Sequence, residues 1–125
     1  LNGAELLFYP TAIGSEPILN CDSMKHWRNV MKGHAAANII PVIAANRYGL
    51  EEVTPCDANG NQSSSLEFYG SGFITDATGE LLCESGRKDD DILLQEFDLD
   101  EIAAMRLEWG LFRDRRPECY EKILK

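Results

Sequence analysis

The segment GAELLFYPTAIGSEP, residues 3–17, decides the class of fold. Residues 5–9 form a short apolar run between a glycine and a proline, which is typical of a strand buried on both faces. Gly3 is suited to the left-handed position just past a helix C-terminus, although only two residues precede it. The segment therefore predicts a strand that follows a helix, with the helix itself lying outside these 125 residues.

A helix and a second strand come next along the chain. Asp22 is a suitable cap for a helix running to about Asn38. One face of this helix is apolar and carries Met24, Trp27, Met31 and Ala35. Residues 39–45 predict a strand, and Pro41 must lie near its start because proline cannot donate to a β-ladder.

The rest of the chain alternates between polar and apolar segments. Residues 48–65 are polar and predict a long loop, exposed over about 50–65. The later elements expected are a strand over 66–75, a turn at 78–79 into another strand, a strand over 92–97, a helix from Asp98 to about Trp109, and a tail over about 110–125. This order indicates a single domain of the α/β class.

Composition excludes several classes of function. The formal charge of −9, with 21 acidic and 12 basic residues, argues against nucleic-acid binding. No apolar stretch approaches 18 residues, so we expect no membrane span, and without a visible signal we expect a cytoplasmic protein. The four cysteines form no C-x-x-C pair or zinc spacing, which favours reduced structural thiols over a metal site.

Four stretches resemble the carbon–nitrogen hydrolase (nitrilase) superfamily, in the family's order and over nearly the whole chain. They are GAELLFYPTAIGSEP, HWRNVMKGHAAANIIPVIAANRYG, FYGSGFITDATGELL and FDLDEIAAMRLEWGLFRDRRP. Within the superfamily, YPTAIGSEP and WGLFRDRRP are most similar to the subfamily of N-carbamoylputrescine amidases. The resemblance implies the C-terminal portion of a four-layer αββα sandwich, with the N-terminal half missing and residues 50–65 inserted.

The resemblance also implies a chemistry. Such enzymes use a cysteine nucleophile, a glutamate base and a lysine that stabilises the tetrahedral intermediate, without a metal or organic cofactor. All three lie upstream of the matched segment, so no catalytic residue and no metal ligand is expected here, and the chain alone is expected to be inactive. The complete enzyme would convert N-carbamoylputrescine to putrescine, carbon dioxide and ammonia in polyamine biosynthesis.

The candidate site residues are therefore pocket walls. By resemblance, Pro10, Thr11 and Ala12 line the pocket beside the nucleophile; on sequence alone an ordinary strand-to-loop turn is the favoured interpretation. Glu16 would pair with the ammonium of a cationic ureido substrate, and its alternative is a solvent-exposed loop acid.

Three further side chains have two interpretations each. Trp27 is a core anchor or an aromatic wall for an alkylammonium chain. Asn46 holds neighbouring loops or faces the pocket, and His34 is structural rather than catalytic. The C-terminal segment, with apolar residues 109–112, is expected by resemblance to make a homo-oligomer contact.

Two rival hypotheses remain open at this point. The first is a related amidase that acts on a different ureido or amide compound. The second is a non-catalytic half-domain that binds or regulates a full-length partner.

Overall fold

The computed structural model describes residues 2–16 and 19–120. Its elements are β1 (Leu7–Thr11), β2 (Gly14–Ser15), α1 (Met24–Asn38), β3 (Val42–Asn46), β4 (Tyr48–Val53), β5 (Ser64–Tyr69), β6 (Phe73–Thr75), β7 (Leu81–Glu84) and α2 (Leu99–Trp109), with short 3₁₀ turns at Asp57–Asn59 and Pro117–Cys119. The larger sheet has the order β1-β3-β6-β7, in which β1 and β3 are parallel and the other pairs are antiparallel. The smaller, antiparallel sheet has the order β2-β5-β4.

The core lies between α1 and one face of the larger sheet. Trp27 is 6% exposed and meets Phe73 edge to face, with ring centroids 5.4 Å apart. Tyr69 lies on its other side at 5.8 Å, and the fully buried Ala35 lets the helix approach the sheet closely. The apolar face predicted for this helix is therefore confirmed. In the described ranges, no helix combines the length and apolarity needed to cross a membrane.

Both helices end where the sequence predicts. The Asp22 carboxylate accepts the amide hydrogen of Met24 at 3.1 Å, at the start of α1. In α2, the Asp98 carboxylate accepts the amide hydrogen of Glu101 at 2.9 Å, and Gly110 adopts a left-handed φ of 63° at the other end. Local capping chemistry therefore fixes both ends of α2, whereas the N-cap position of α1 is Ser23, whose side chain makes no capping hydrogen bond.

The junction between α1 and β3 differs from the prediction. The buried Ile39 takes a left-handed φ of 48° and closes the helix, so the strand begins at Val42 instead of residue 39. Pro41 directly precedes the strand, as expected. Arg106 of α2 donates two hydrogen bonds to the Ile39 carbonyl, at 3.1 and 2.8 Å, and one to the Ala4 carbonyl at 3.3 Å. The guanidinium thus ties α2 to this junction.

The exposed loop predicted over about 50–65 is confirmed in part: most of the segment is exposed, but its two flanks belong to β4 and β5. β4 and β5 pair in register from Tyr48 opposite Tyr69 to Val53 opposite Ser64, which makes this segment the arms and tip of a hairpin. Backbone pairing orders it although every side chain of β4 is exposed. At its base, the Arg47 guanidinium lies 4.5 Å from the centre of the Phe68 ring.

The prediction of a single strand over 66–75 is wrong, because this segment forms two strands, one in each sheet. Gly70 and Ser71 have left-handed φ values of 55° and 60°, and they carry the chain from β5 to β6. A Cβ at Gly70 would lie 2.8 Å from the Gly86 carbonyl oxygen, so a side chain is excluded there. The predicted turn at 78–79 is confirmed, and it leads into β7.

One further strand prediction fails, and the first strand is present but less buried than predicted. Residues 92–97 form no strand, and Ile92 and Leu94 there are 83% and 86% exposed. β1 is not buried on both faces, because among the described residues it pairs with β3 alone. Its side chains alternate between half-buried and exposed, and Phe8 is 63% exposed.

Candidate functional site

The parallel strands β1 and β3 end together and bring four predicted site residues to one place. Pro10 lies opposite Ala45 and Thr11 opposite Asn46 in the strand register. The backbone N–H of Arg47 donates to the Thr11 carbonyl at 3.2 Å, which closes the end of the pair. Pro10, Thr11, Ala12 and Asn46 all line one open recess there. The fold therefore brings these four candidate residues together at the strand ends.

The Asn46 side chain organises this recess. Its amide oxygen accepts the backbone N–H of Ile13 and faces the Thr11 hydroxyl, both at 2.9 Å. Its amide nitrogen donates to the carbonyls of Ile13 and Gly70, both at 2.9 Å. Both donors and both acceptor positions of the amide are thus occupied by the chain itself. Of the two interpretations of Asn46, the structure supports the one in which it holds neighbouring loops.

A second concavity, of about 550 Å³, opens beside the loop that follows β2. We call it the basin. Three carboxylates and two cations are among its lining residues, which are Ser15, Glu16, Asn20, Cys21, Asp22, Glu67, Phe68, Tyr69, Arg87 and Lys88. Glu16 is exposed, and no cation of the described residues forms an ion pair with it. Its Cα is four residues from that of Ala12, so the two atoms are at most about 14 Å apart.

An ion pair crosses the basin. An Arg87 guanidinium nitrogen lies 2.9 Å from an Asp22 carboxylate oxygen, and the same guanidinium lies 5.8 Å from the centre of the Tyr69 ring. The hydrogen bond from Arg87 holds the pKa of Asp22 below its usual value, and the backbone N–H of Met24 adds to the effect. The Asp22 carboxylate therefore remains charged at neutral pH.

Tyr69 contributes a polar group with no partner. Its residue is 3% exposed, and its hydroxyl makes no hydrogen bond within the described part of the chain. Burial raises the pKa of the phenol, so it stays protonated at neutral pH and keeps a donor. The hydroxyl oxygen has almost no accessible surface, so it lies in the core beneath the basin and does not face a ligand there.

The remaining candidates lie in structural positions. The burial of Trp27 between Tyr69 and Phe73 supports its interpretation as a core anchor. His34 is bound through Nδ1 to the Tyr9 hydroxyl at 2.7 Å, a contact that joins α1 to β1 and agrees with a structural role.

The four cysteines are dispersed over the described part of the chain. Cys83 is half-buried on β7, while Cys21, Cys56 and Cys119 are exposed outside the strands and α-helices, and all four are free thiols. In residues 2–16 and 19–120, no group of three or more His, Cys, Asp or Glu side chains is arranged to hold a metal ion.

The sequence did not point to Asp22, Tyr69, Arg87 or Lys88 as site residues. Arg87 and Lys88 lie in a charged turn more than 60 residues from the segment that they face. The only local signal was the basic pair itself, and a basic pair in a turn is usually solvated. The fold alone brings it opposite Glu16.

Comparison with known proteins gives a consistent family. Residues 1–107 match the carbon–nitrogen hydrolase family. A citrullinase from Francisella tularensis is 52% identical over 126 residues, covering 100% of this chain and 41% of that protein. An N-carbamoylputrescine amidase from Oryza sativa is 51% identical over 125 residues, covering 99% of this chain and 40% of that protein.

The same family appears among solved structures. The crystal structure of a carbon–nitrogen hydrolase from Helicobacter pylori matches with a TM-score of 0.81 and 36% identity, over 98% of this chain and 42% of that chain. This match confirms the predicted α/β class and the partial nitrilase-like fold. The chain spans about two fifths of the length of the relatives that it matches.

Proposed function

Since the chain belongs to the carbon–nitrogen hydrolase family, we propose that it is the C-terminal portion of an amidase that hydrolyses N-carbamoylputrescine to putrescine, carbon dioxide and ammonia. The identity of about half with an N-carbamoylputrescine amidase supports this substrate class. The observation that carries the proposal is the Glu16 carboxylate, which lines the basin just past the Pro10–Ala12 segment and has no cation partner in the described residues.

The chemical step is assigned to residues outside these 125. A thiolate attacks the carbamoyl carbon, and the C–N bond to the alkyl amine breaks as that amine takes a proton from a general acid. Water then cleaves the thiocarbamoyl intermediate, releasing the thiolate and a carbamate that breaks down to carbon dioxide and ammonia. The cysteine, glutamate and lysine of this scheme are those that the family resemblance implies. This scheme needs no metal or organic cofactor.

The present chain supplies the far end of the pocket. Pro10, Thr11 and Ala12 form a wall at the strand ends, with Asn46 holding that wall in place. Glu16 then pairs with the terminal ammonium of the substrate, through charge-assisted hydrogen bonds that are stronger than neutral ones. A neutral chain end gains nothing from this carboxylate, so Glu16 selects for a cationic substrate.

The test compares a charged substrate with a neutral one. The protein that contains this chain and the catalytic residues is assayed for ammonia release from N-carbamoylputrescine and from N-butylurea, which lacks the ammonium. We expect Glu16→Gln to lower kcat/KM for N-carbamoylputrescine about tenfold and to leave N-butylurea unchanged, since a hydrogen bond to a charged group is worth about 1.5–3 kcal/mol.

The matched control is Glu80→Gln, an exposed acid in the turn before β7 and outside the basin. It should leave both substrates unaffected. An unchanged preference for the cationic substrate in Glu16→Gln would remove Glu16 from the site. A protein that hydrolyses neither compound would refute the proposed activity.

A separate proposal concerns assembly and location. We propose a cytoplasmic homo-oligomer that uses the C-terminal segment, where Trp109 and Leu111 are 56% and 38% exposed. Sedimentation analysis of the protein and of Trp109→Ala tests this contact, because loss of the apolar anchor should shift the species towards monomer. An unchanged oligomer, or a monomeric wild type, would contradict it.

A further inference from the structure

The basin presents both signs of charge to one ligand. Glu16 and Glu67 lie in its lining together with Arg87 and Lys88. A site built for a single ammonium needs only carboxylates, and a lysine in its wall weakens binding through like-charge repulsion. The basic pair therefore has no use in recognising a purely cationic chain end.

The two cations differ in whether their charge is already compensated by an ion pair. Arg87 is paired with Asp22 at 2.9 Å, so much of its charge is already compensated. Lys88 forms no ion pair with the described residues. The ammonium of Lys88 is therefore the cation of the lining that is left to meet a ligand. Lys88 thus supplies a positive charge for an anion on the wall of the same basin that carries Glu16.

We propose that the basin binds the α-amino-acid end of a ureido substrate, with Glu16 holding the α-ammonium and Lys88 holding the α-carboxylate. The two charges of such a substrate are attached to one carbon atom, so they need acidic and basic groups within one concavity, and the basin provides both. Lys88 is then a specificity-determining residue that admits a carboxylate-bearing substrate beside the simple alkylammonium one. This inference rests on the proposed function, since it concerns the same site.

Three ureido substrates separate these roles: N-carbamoylputrescine carries only the ammonium, 5-ureidopentanoic acid only the carboxylate, and L-citrulline both. In the protein that contains this chain and the catalytic residues, we expect Lys88→Gln to lower kcat/KM for L-citrulline about tenfold. The same change should alter N-carbamoylputrescine by less than twofold, because that substrate has no group for Lys88 to bind. Glu16→Gln should weaken L-citrulline and N-carbamoylputrescine, and spare 5-ureidopentanoic acid.

Product inhibition gives a second measurement that does not depend on turnover of each substrate. Inhibition by L-ornithine should weaken about tenfold in Lys88→Gln, while inhibition by putrescine stays the same. The matched control is Lys32→Gln, because Lys32 lies on α1 against the Gly79 turn and outside the basin. Lys32→Gln should leave kcat/KM for the three substrates and the inhibition constants of L-ornithine and putrescine at the wild-type values.

The outcomes separate the inference from the function on which it rests. A wild type that hydrolyses N-carbamoylputrescine but neither hydrolyses L-citrulline nor is inhibited by L-ornithine overturns the inference and leaves the proposed function standing. Equal losses for both substrates in Lys88→Gln overturn it as well, since they indicate a general effect on the basin. If no ureido compound is hydrolysed, the proposed function itself fails.

Discussion

Replacing Asn46 by alanine removes the amide that joins the loop after β1 to the end of β5. The wild-type side chain accepts from the Ile13 N–H, faces the Thr11 hydroxyl, and donates to the Ile13 and Gly70 carbonyls, all at 2.9 Å. A typical intramolecular hydrogen bond contributes about 1 kcal/mol to stability. Because Asn46 is only half-buried, water reaches some of the freed groups, and we expect a loss of about 2 kcal/mol.

The variant Asn46→Asp tests the direction of these hydrogen bonds. A carboxylate keeps the two accepting positions but places an anionic oxygen where the amide nitrogen lies 2.9 Å from two carbonyl oxygens. Those oxygens raise the pKa of the new carboxyl in the folded state, so the folded protein binds the proton more tightly than the unfolded one. Stability relative to wild type is then lowest at neutral pH and recovers as pH falls through the raised pKa.

Urea unfolding at pH 7 and pH 4.5 measures both variants, and hydrogen exchange at the Ile13 amide reports the loop directly. The control is Asn29→Ala, which changes an exposed asparagine on α1 and should stay within about 0.5 kcal/mol of wild type. An Asn46→Ala protein as stable as wild type, with unchanged exchange at Ile13, would refute the assigned role. So would an Asn46→Asp protein whose stability deficit is independent of pH.

Two other side chains give predictions of the same kind. Arg106→Ala should lower the free energy of unfolding by about 2 kcal/mol, because three hydrogen bonds to the carbonyls of Ile39 and Ala4 are lost. Arg106→Lys should lower it by about half of that, because lysine keeps one of the three. Urea unfolding checks both values, and a change below about 0.5 kcal/mol in Arg106→Ala would contradict the assigned role. Asp22→Asn should cost less than about 1 kcal/mol at pH 7, since its ion pair with Arg87 is exposed to solvent. The folded-state pKa of Asp22 is lowered, so its contribution is present above the unfolded value of about 3.9 and is lost as pH falls through the folded one; a deficit that persists at pH 2 would show that another interaction is responsible.

The sequence predicted those features of the fold whose signals lie within a few residues of each other. Helix α2 begins after Asp98 and ends before Gly110, as expected, and the turn at 78–79 joins β6 to β7. The apolar face of α1 is buried around Trp27, because helical periodicity places such side chains on one side whatever they later pack against. Failures came where a partner strand decides the outcome, as at the two flanks of residues 50–65 and at residues 92–97.

The candidate site likewise has a part that could be predicted before the structure was known and a part that could not. The sequence alone favours an ordinary turn at Pro10–Ala12 and an exposed acid at Glu16, and the family resemblance is what predicts that these residues are pocket walls. The tertiary structure decided the rest. Residues 65 apart meet in the Asp22–Arg87 ion pair, and Asn46 reaches Gly70. Such contacts carry no local pattern, because they exist only when the strand order of two sheets brings distant segments to the same edge, and that order depends on the packing of the whole chain.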